Sequence, residues 1–215
     1  MEETFAVFNR LAEEYDHWYE KEKQTFQTEL AAFQPILPSL PKPWLEVGVG
    51  SGRFAPALGI PWGIDPVINL LRIAKQRNIQ VAAGRGEFLP LFPRKIGSVF
   101  IILTLCFVPF PPLFLKECYR ILSPGGRIVV GFIPRPSPWG KFYAEKKNQG
   151  HPVYRLARFY SIEEVEHFFI DGGFTIHGIY STLFQKPGSV AGVEKPIRGY
   201  RPQAGFLLMI SERTS

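Results

Sequence analysis

The stretch Leu45-Glu46-Val47-Gly48-Val49-Gly50-Ser51-Gly52-Arg53 decides the fold, because an apolar run carrying one carboxylate passes straight into three glycines at alternate positions. The pattern predicts a β-strand, a tight loop and a helix opening near Arg53. Glycine has no Cβ and tolerates positive φ, so the backbone can turn sharply and approach a ligand closely before the helix begins. Such a loop suits an adenosine-type cofactor. Thirteen positions after Gly52, Gly63-Ile64-Asp65-Pro66 ends a second short strand in an acid. A carboxylate there can accept both hydrogen bonds of a ribose diol. Asp65 followed by Pro66 also predicts a helix start with Asp65 as its N-cap.

Spacing selects among cofactors. Nicotinamide oxidoreductases favour G-x-G-x-x-G, whereas Gly48, Gly50 and Gly52 read G-x-G-x-G with Glu46 two residues upstream. In this the chain resembles the class I S-adenosylmethionine-dependent methyltransferases. Gly84-Arg85-Gly86-Glu87-Phe88-Leu89-Pro90 is similar to that family's adenine-side segment. Arg120-Ile121-Leu122-Ser123-Pro124-Gly125-Gly126-Arg127 is similar to its Pro-Gly-Gly turn before the fifth strand. The likeness spans residues 5 to 210, and within the family it points to small-molecule enzymes related to the C-methylating enzymes of quinone biosynthesis.

The resemblance implies an α/β, Rossmann-like seven-stranded sheet with helices on both faces and the last strand antiparallel. It implies S-adenosylmethionine as cofactor and S-adenosylhomocysteine as product. Glu46, the three glycines, Asp65 and Pro66 would organise the cofactor, with Gly86, Glu87 and Phe88 on its adenine side. Thr104 and Leu105 would lie beside it at the end of the fourth strand, and Cys106 and Phe107 would face the substrate. Tyr15 and Trp18, on an N-terminal arm, would cover its methionine half. Arg85 departs from the family, which has an aspartate there to accept from the adenine amino group. Arginine cannot accept a hydrogen bond, so Glu87 or a backbone carbonyl would replace it.

Composition agrees with one α/β domain, since 215 residues supply a full core but not two independent ones. The expected division is an arm and Pro-rich connector at 1–43, a cofactor-binding core at 44–133, a substrate-cover insertion at 134–160, and a helix with edge hairpin at 161–215. Cys106 and Cys118 are too few for a disulfide scaffold and lack metal-ligand spacing, so a reducing cytoplasm is expected and no metal. Residues 96–115 carry no charge, but Pro109, Pro111 and Pro112 argue for a buried strand followed by a turn rather than a membrane span. The acidic N-terminus is unlike an export signal. The net charge of +6 divides unevenly: residues 1–30 hold eight acids and three bases, and the remainder eleven acids and twenty-two bases. A basic body can attract nucleic acid or an anionic metabolite.

Along the chain, Phe5, Phe8, Leu11, Tyr15 and Trp18 recur at helical steps, predicting a helix over Phe5 to Leu30. Four prolines between Pro35 and Pro43 mark a connector. Strands are expected at 79–83, 98–105, 127–133, 174–182 and 205–210. Ser161-Ile162-Glu163-Glu164 reads as a capping box. Residues 134–160 read as the longest irregular passage, rich in aromatic and basic residues, with an amphipathic surface helix of satisfied charges as the alternative. Its Tyr143, His151, Arg158 and Tyr160, with His17, Cys106 and Phe107, are the candidate substrate residues, and His17 and His151 the candidate general bases. The expected function is methyl transfer to a small-molecule acceptor by in-line displacement. The alternatives are an RNA methyltransferase using the basic aromatic insertion and a non-catalytic S-adenosylmethionine-binding protein.

Overall fold

Fully buried and parallel-paired, β1 (Trp44–Val47) is the strand that the glycine loop requires. In the computed structural model, which describes residues 2–214, it lies between β2 (Trp62–Asp65) and β4 (Ile96–Ile102). Parallel pairing continues outward to β3 (Gln80–Ala83) on one side and β5 (Leu122–Phe132) on the other. β8 (Phe206–Arg213) inserts antiparallel between β5 and β6 (Phe174–Thr182), and β7 (Ile197–Arg198) forms a two-residue edge. The order is β3-β2-β1-β4-β5-β8-β6-β7, so the strand order reverses between β1 and β4. Ligands of open α/β sheets bind at the carboxyl ends beside such a switch.

The alternation along single strands shows both faces covered. Val99 and Ile101 of β4 join Ile128 and Val130 of β5 and Leu207 and Met209 of β8 in one core. Phe100 and Ile102 join Val129, Phe206 and Leu208 in the other. The first core packs α6 (Pro111–Ile121) and α8 (Ile162–Asp171) through Phe114, Leu115, Val165 and Phe169. The second packs α4 (Phe54–Leu58), α5 (Ile68–Gln76) and α7 (Pro138–Asn148) through Phe54, Leu71, Ala74 and Trp139. Burying each such side chain contributes about 1.5–3 kcal/mol.

Several expectations need correction. The fourth strand stops at Ile102: Leu103 adopts φ +53° and a single 3₁₀ turn, Leu105–Phe107, follows. The arm is not one helix but three short ones, α1 (Glu2–Arg10), α2 (Ala12–Lys21) and α3 (Lys23–Ala31). An eighth, two-residue strand joins the expected seven. The passage 134–160 is not wholly irregular: it contains α7, capped by Ser137, whose Oγ accepts from the Gly140 amide at 3.0 Å. Trp139 and Tyr143 from it are buried. The capping box is present: Glu164 Oε2 accepts from the Ser161 amide at 2.7 Å and Ser161 Oγ from the Glu164 amide at 3.3 Å.

Candidate active site

All three glycines of the loop adopt left-handed φ, at +81° for Gly48, +53° for Gly50 and +76° for Gly52. At Gly48 a Cβ would lie 2.2 Å from Thr104 Cγ2, so the loop can close on the chain leaving β4 only without one. At Gly50 a Cβ would meet only the Tyr15 ring, at 3.9 Å, because this position faces an open cavity. Asp65 holds the loop in place: its Oδ2 accepts from the Gly50 amide at 2.9 Å and its Oδ1 from the Val67 amide at 2.8 Å. Asp65 is therefore not the N-cap of α5, which is Val67. Burial pushes the Asp65 carboxyl up to about 6, against the pull of those two amides. Glu46 lies beneath the loop, with Oε2 enclosed and unpartnered. Burial, and then the nearby Asp65, push its carboxyl well above the ordinary range.

A first cavity, about 100 Å³, opens over this loop. The glycine loop contributes Gly48 and Gly50, β2 contributes Asp65 with Pro66 after it, and the segment following β3 contributes Gly84 to Glu87. The arm closes it through Phe5, Phe8 and Tyr15. Two enclosed polar atoms there, Arg85 Nε and Glu87 Oε1, have no hydrogen-bond partner. Buried polar groups are ordinarily satisfied, so an unpaired donor and acceptor in one cavity mark places for a polar ligand. Their chemistry fits an adenosine: Glu87 can accept from its amino group, and Asp65 retains lone pairs for a ribose diol. A Gly86 Cβ would lie 2.0 Å from Phe114, so the adenine-side backbone also sits where only glycine fits.

A second cavity, about 150 Å³, shares Tyr15, Leu103 and Phe107 with the first. Its wall comes from α2, α3, α7 and the turn after α7, with the chain after β4 and the end of β5, and it is rich in aromatic residues. Tyr143, Tyr160, His151 and Cys106 line it, as the sequence predicts. Burial pushes the Cys106 thiol up to about 12, and its Sγ lies 3.4 Å from the Leu103 carbonyl, so it is a packed thiol rather than a nucleophile. His151 Nδ1 faces the Val153 and Tyr154 amides, and burial with the nearby Lys146 ammonium lowers its pKa.

Other candidates fall elsewhere. Trp18 and Leu105 line the second cavity and not the first. Gly52 packs against Ile79 and Ala74, behind the loop. His17 is exposed on the outer face of α2 beside Glu20, Phe88 is 68 % exposed, and Arg158 points its guanidinium over the Tyr160 ring; none of the three lines either cavity. Sequence reasoning missed Glu29, Lys146 and Tyr154 in the second cavity. It also missed the ion-pair clasp holding arm to loop: Asp16 binds Arg53 Nε at 2.7 Å and Arg77 at 2.8 Å, and Arg77 also donates to the Ser51 carbonyl at 2.6 Å. No signal marks a pair 37 or 61 residues apart. Among the described residues, no group of three or more His, Cys, Asp or Glu is placed to hold a metal ion, and no helix is long and apolar enough to cross a membrane.

Comparison with known proteins agrees with this geometry. Residues 45–130 match the family described as "Methyltransferase domain". An uncharacterised protein of Mycobacterium tuberculosis is 40% identical over 205 residues, covering 94% of this chain and 72% of the relative. One from Methanocaldococcus jannaschii is 34% identical over 207 residues, covering 96% and 98%. A crystal structure from Thermotoga maritima, described as a "SAM-dependent methyltransferase, possible histamine N-methyltransferase", superposes with a TM-score of 0.92 at 32% identity, covering 98% of this chain and all of that one. With its glycine loop, distal acid and switch-point cavity, the chain belongs to the class I S-adenosylmethionine-dependent methyltransferases.

Proposed function

We propose that the protein transfers a methyl group from S-adenosylmethionine, held in the first cavity, to a small-molecule acceptor held in the second. The observation that carries this reading is the junction: Tyr15, Leu103 and Phe107 line both cavities, so two ligands would meet there. When bound, the cofactor supplies an electrophilic methyl group on a positively charged sulfur. Asp65 accepts from the ribose hydroxyls, Glu87 from the adenine amino group, and the Gly86 amide donates to the adenine ring. The Tyr15 ring at the junction offers its face to positive charge, an attraction of roughly 0.5–2 kcal/mol that grows as water leaves. Leu103 and Phe107 exclude water from the line of attack. Alignment alone can reach effective molarities on the order of 10⁵ to 10⁸ M, so the chain needs no nucleophile of its own.

The insertion supports a small acceptor better than RNA. Its Trp139, Tyr143 and Tyr160 are 2 to 3 % exposed, so they cannot serve as open stacking platforms. Several of its bases are engaged: Lys147 donates to the Ala157 carbonyl, Arg155 pairs with Glu3, and Arg135 with Glu164. The free thiols Cys106 and Cys118 suit a reducing cytoplasm. Calorimetric titration with S-adenosylhomocysteine, with NAD as control, tests the reading. Micromolar binding of the former alone is expected, and absence of that binding overturns it.

A further inference from the structure

Glu29 is used by nothing described so far. It lies on α3 with 1 % of its surface exposed, yet forms part of the wall of the second cavity. Its Oε2 is enclosed without a hydrogen-bond partner. A carboxylate removed from water without a partner is strongly disfavoured, so such a group either stays protonated or awaits a cation. Polar side chains of α2 and α3 do not supply one, Thr25 Oγ1 being itself enclosed without a partner. Tyr15 and Tyr19 direct their hydroxyls at each other, 2.9 Å apart, and Thr28 Oγ1 accepts from the Glu194 amide at 3.2 Å.

The other charges around the cavity sharpen the point. Glu14 and Lys146 bring opposite charges, and the Lys146 ammonium lies 4.6 Å from the Phe142 ring centre. Burial and that ammonium lower the pKa of His151, disfavouring its charged form. Glu29 is therefore the charge left for an occupant to match. The Lys146 ammonium also lies over the Tyr143 and Tyr154 rings and the Arg53 guanidinium over Tyr19, while Tyr15, Trp18 and Phe159 add aromatic rings to the wall, a surface that attracts cations and stacks on flat frameworks. We propose that the acceptor is an organic amine, bound with its cationic nitrogen paired to Glu29 and its carbon framework packed on the tyrosine rings. This rests on the two-cavity reading above and deepens it. Where Glu29 is ionised, an anionic acceptor would meet it as repulsion, and an uncharged one would leave its charge unpaired.

Titration supports the same assignment. Burial pushes the Glu29 carboxyl up to about 8, so at neutral pH the empty cavity holds it mostly protonated. Pairing with an ammonium then requires loss of that proton, and affinity rises by about tenfold per pH unit below 8. It falls again where the amine itself deprotonates, on the order of pH 10. The phenols of Tyr15, Tyr19, Tyr143 and Tyr154 are all raised by burial and the Cys106 thiol is pushed up to about 12, so these groups stay neutral across the rise. Glu22, at the head of α3, adds negative field at Tyr143 and Tyr154 but does not line the cavity.

The test uses the intact chain saturated with S-adenosylhomocysteine and three ring-matched probes: phenethylamine, phenethyl alcohol and hydrocinnamate. Calorimetry between about pH 6 and pH 10 should show, above about pH 8, the amine binding at least about tenfold more tightly than the alcohol, with the acid weakest. The amine's affinity should climb up to about pH 8 and then level off, while the alcohol's stays flat. Glu29→Gln, which keeps the shape, should bring the amine down to the alcohol's level and abolish the climb. Equal binding of amine and alcohol by the wild-type protein, a flat pH profile, or no binding of any probe overturns the proposal, whatever the variant's stability. Failure to bind S-adenosylhomocysteine in the first place overturns the two-cavity reading instead.

Discussion

The two cavities are built from different materials. The first has a floor of backbone: Gly48, Gly50, Gly84 and Gly86, with Asp65 bracing two amides and a strand end beneath, under a cover of arm side chains. The second is side chain, assembled from α2, α3 and α7 and the turn after it. A backbone cradle demands glycines at fixed spacing, and so it fixes a cofactor and leaves little room for variation. A side-chain cavity can be re-lined one residue at a time without disturbing the sheet, which suits the half of the reaction that differs between related enzymes.

That contrast can be broken at either end. The largest effect is expected from Gly50→Val. The φ of +53° and a branched side chain projecting into the first cavity should weaken S-adenosylhomocysteine by about 100-fold or more, whereas the strain itself costs only about 1–2 kcal/mol of stability. Calorimetry paired with thermal melting separates the two. The converse variant is Phe159→Ala, in the second cavity alone. It should raise the acceptor's KM by about tenfold through lost apolar contact and leave cofactor affinity unchanged.

A pH series sharpens the comparison further. Burial pushes the Asp65 carboxyl up to about 6, and in the proposed reading its ionised form would accept from two ribose hydroxyls. S-adenosylhomocysteine affinity should therefore be full above pH 7 and weaken as pH falls through about 6, with Asp65→Asn weaker throughout and lacking this dependence. Arg53→Ala removes one of the two arginines of the clasp between arm and loop, an ion pair whose side chains are about 15 % exposed, and should cost about 1 kcal/mol while speeding proteolysis within α1 and α2. Least of all, Phe88→Ala and His17→Ala should leave the binding of both ligands unchanged, and a clear loss in either would return those residues to the site.

The legibility of the molecule follows the same division. β1, the glycine loop, Asp65, the capping box at Ser161 and β6 were readable because each rests on local chemistry: an apolar run, a left-handed φ, a cap. α7 was not, because Trp139, Gly140, Phe142 and Tyr143 do not make one apolar stripe. Its signal was the start rather than the periodicity, Ser137 followed by Pro138 at the first helical position. The end of β4 was misplaced because apolar residues continue past Ile102, and nothing in Leu103 itself announces a left-handed turn. Glu29 was missed since a lone acid on a helix ordinarily faces water. What buries it is the packing of helices distant in sequence.

Leu103 lines both cavities in a conformation that an L residue adopts at a cost of about 1–2 kcal/mol, anchored by its amide to the Gly131 carbonyl at 2.8 Å. Glycine would relax that strain, yet it would remove the side chain that narrows the passage. Selection for stability and selection for a tight partition thus oppose each other at this position. A thermally hardened version of the protein carrying glycine here would be a leakier catalyst, admitting water where a methyl group should pass.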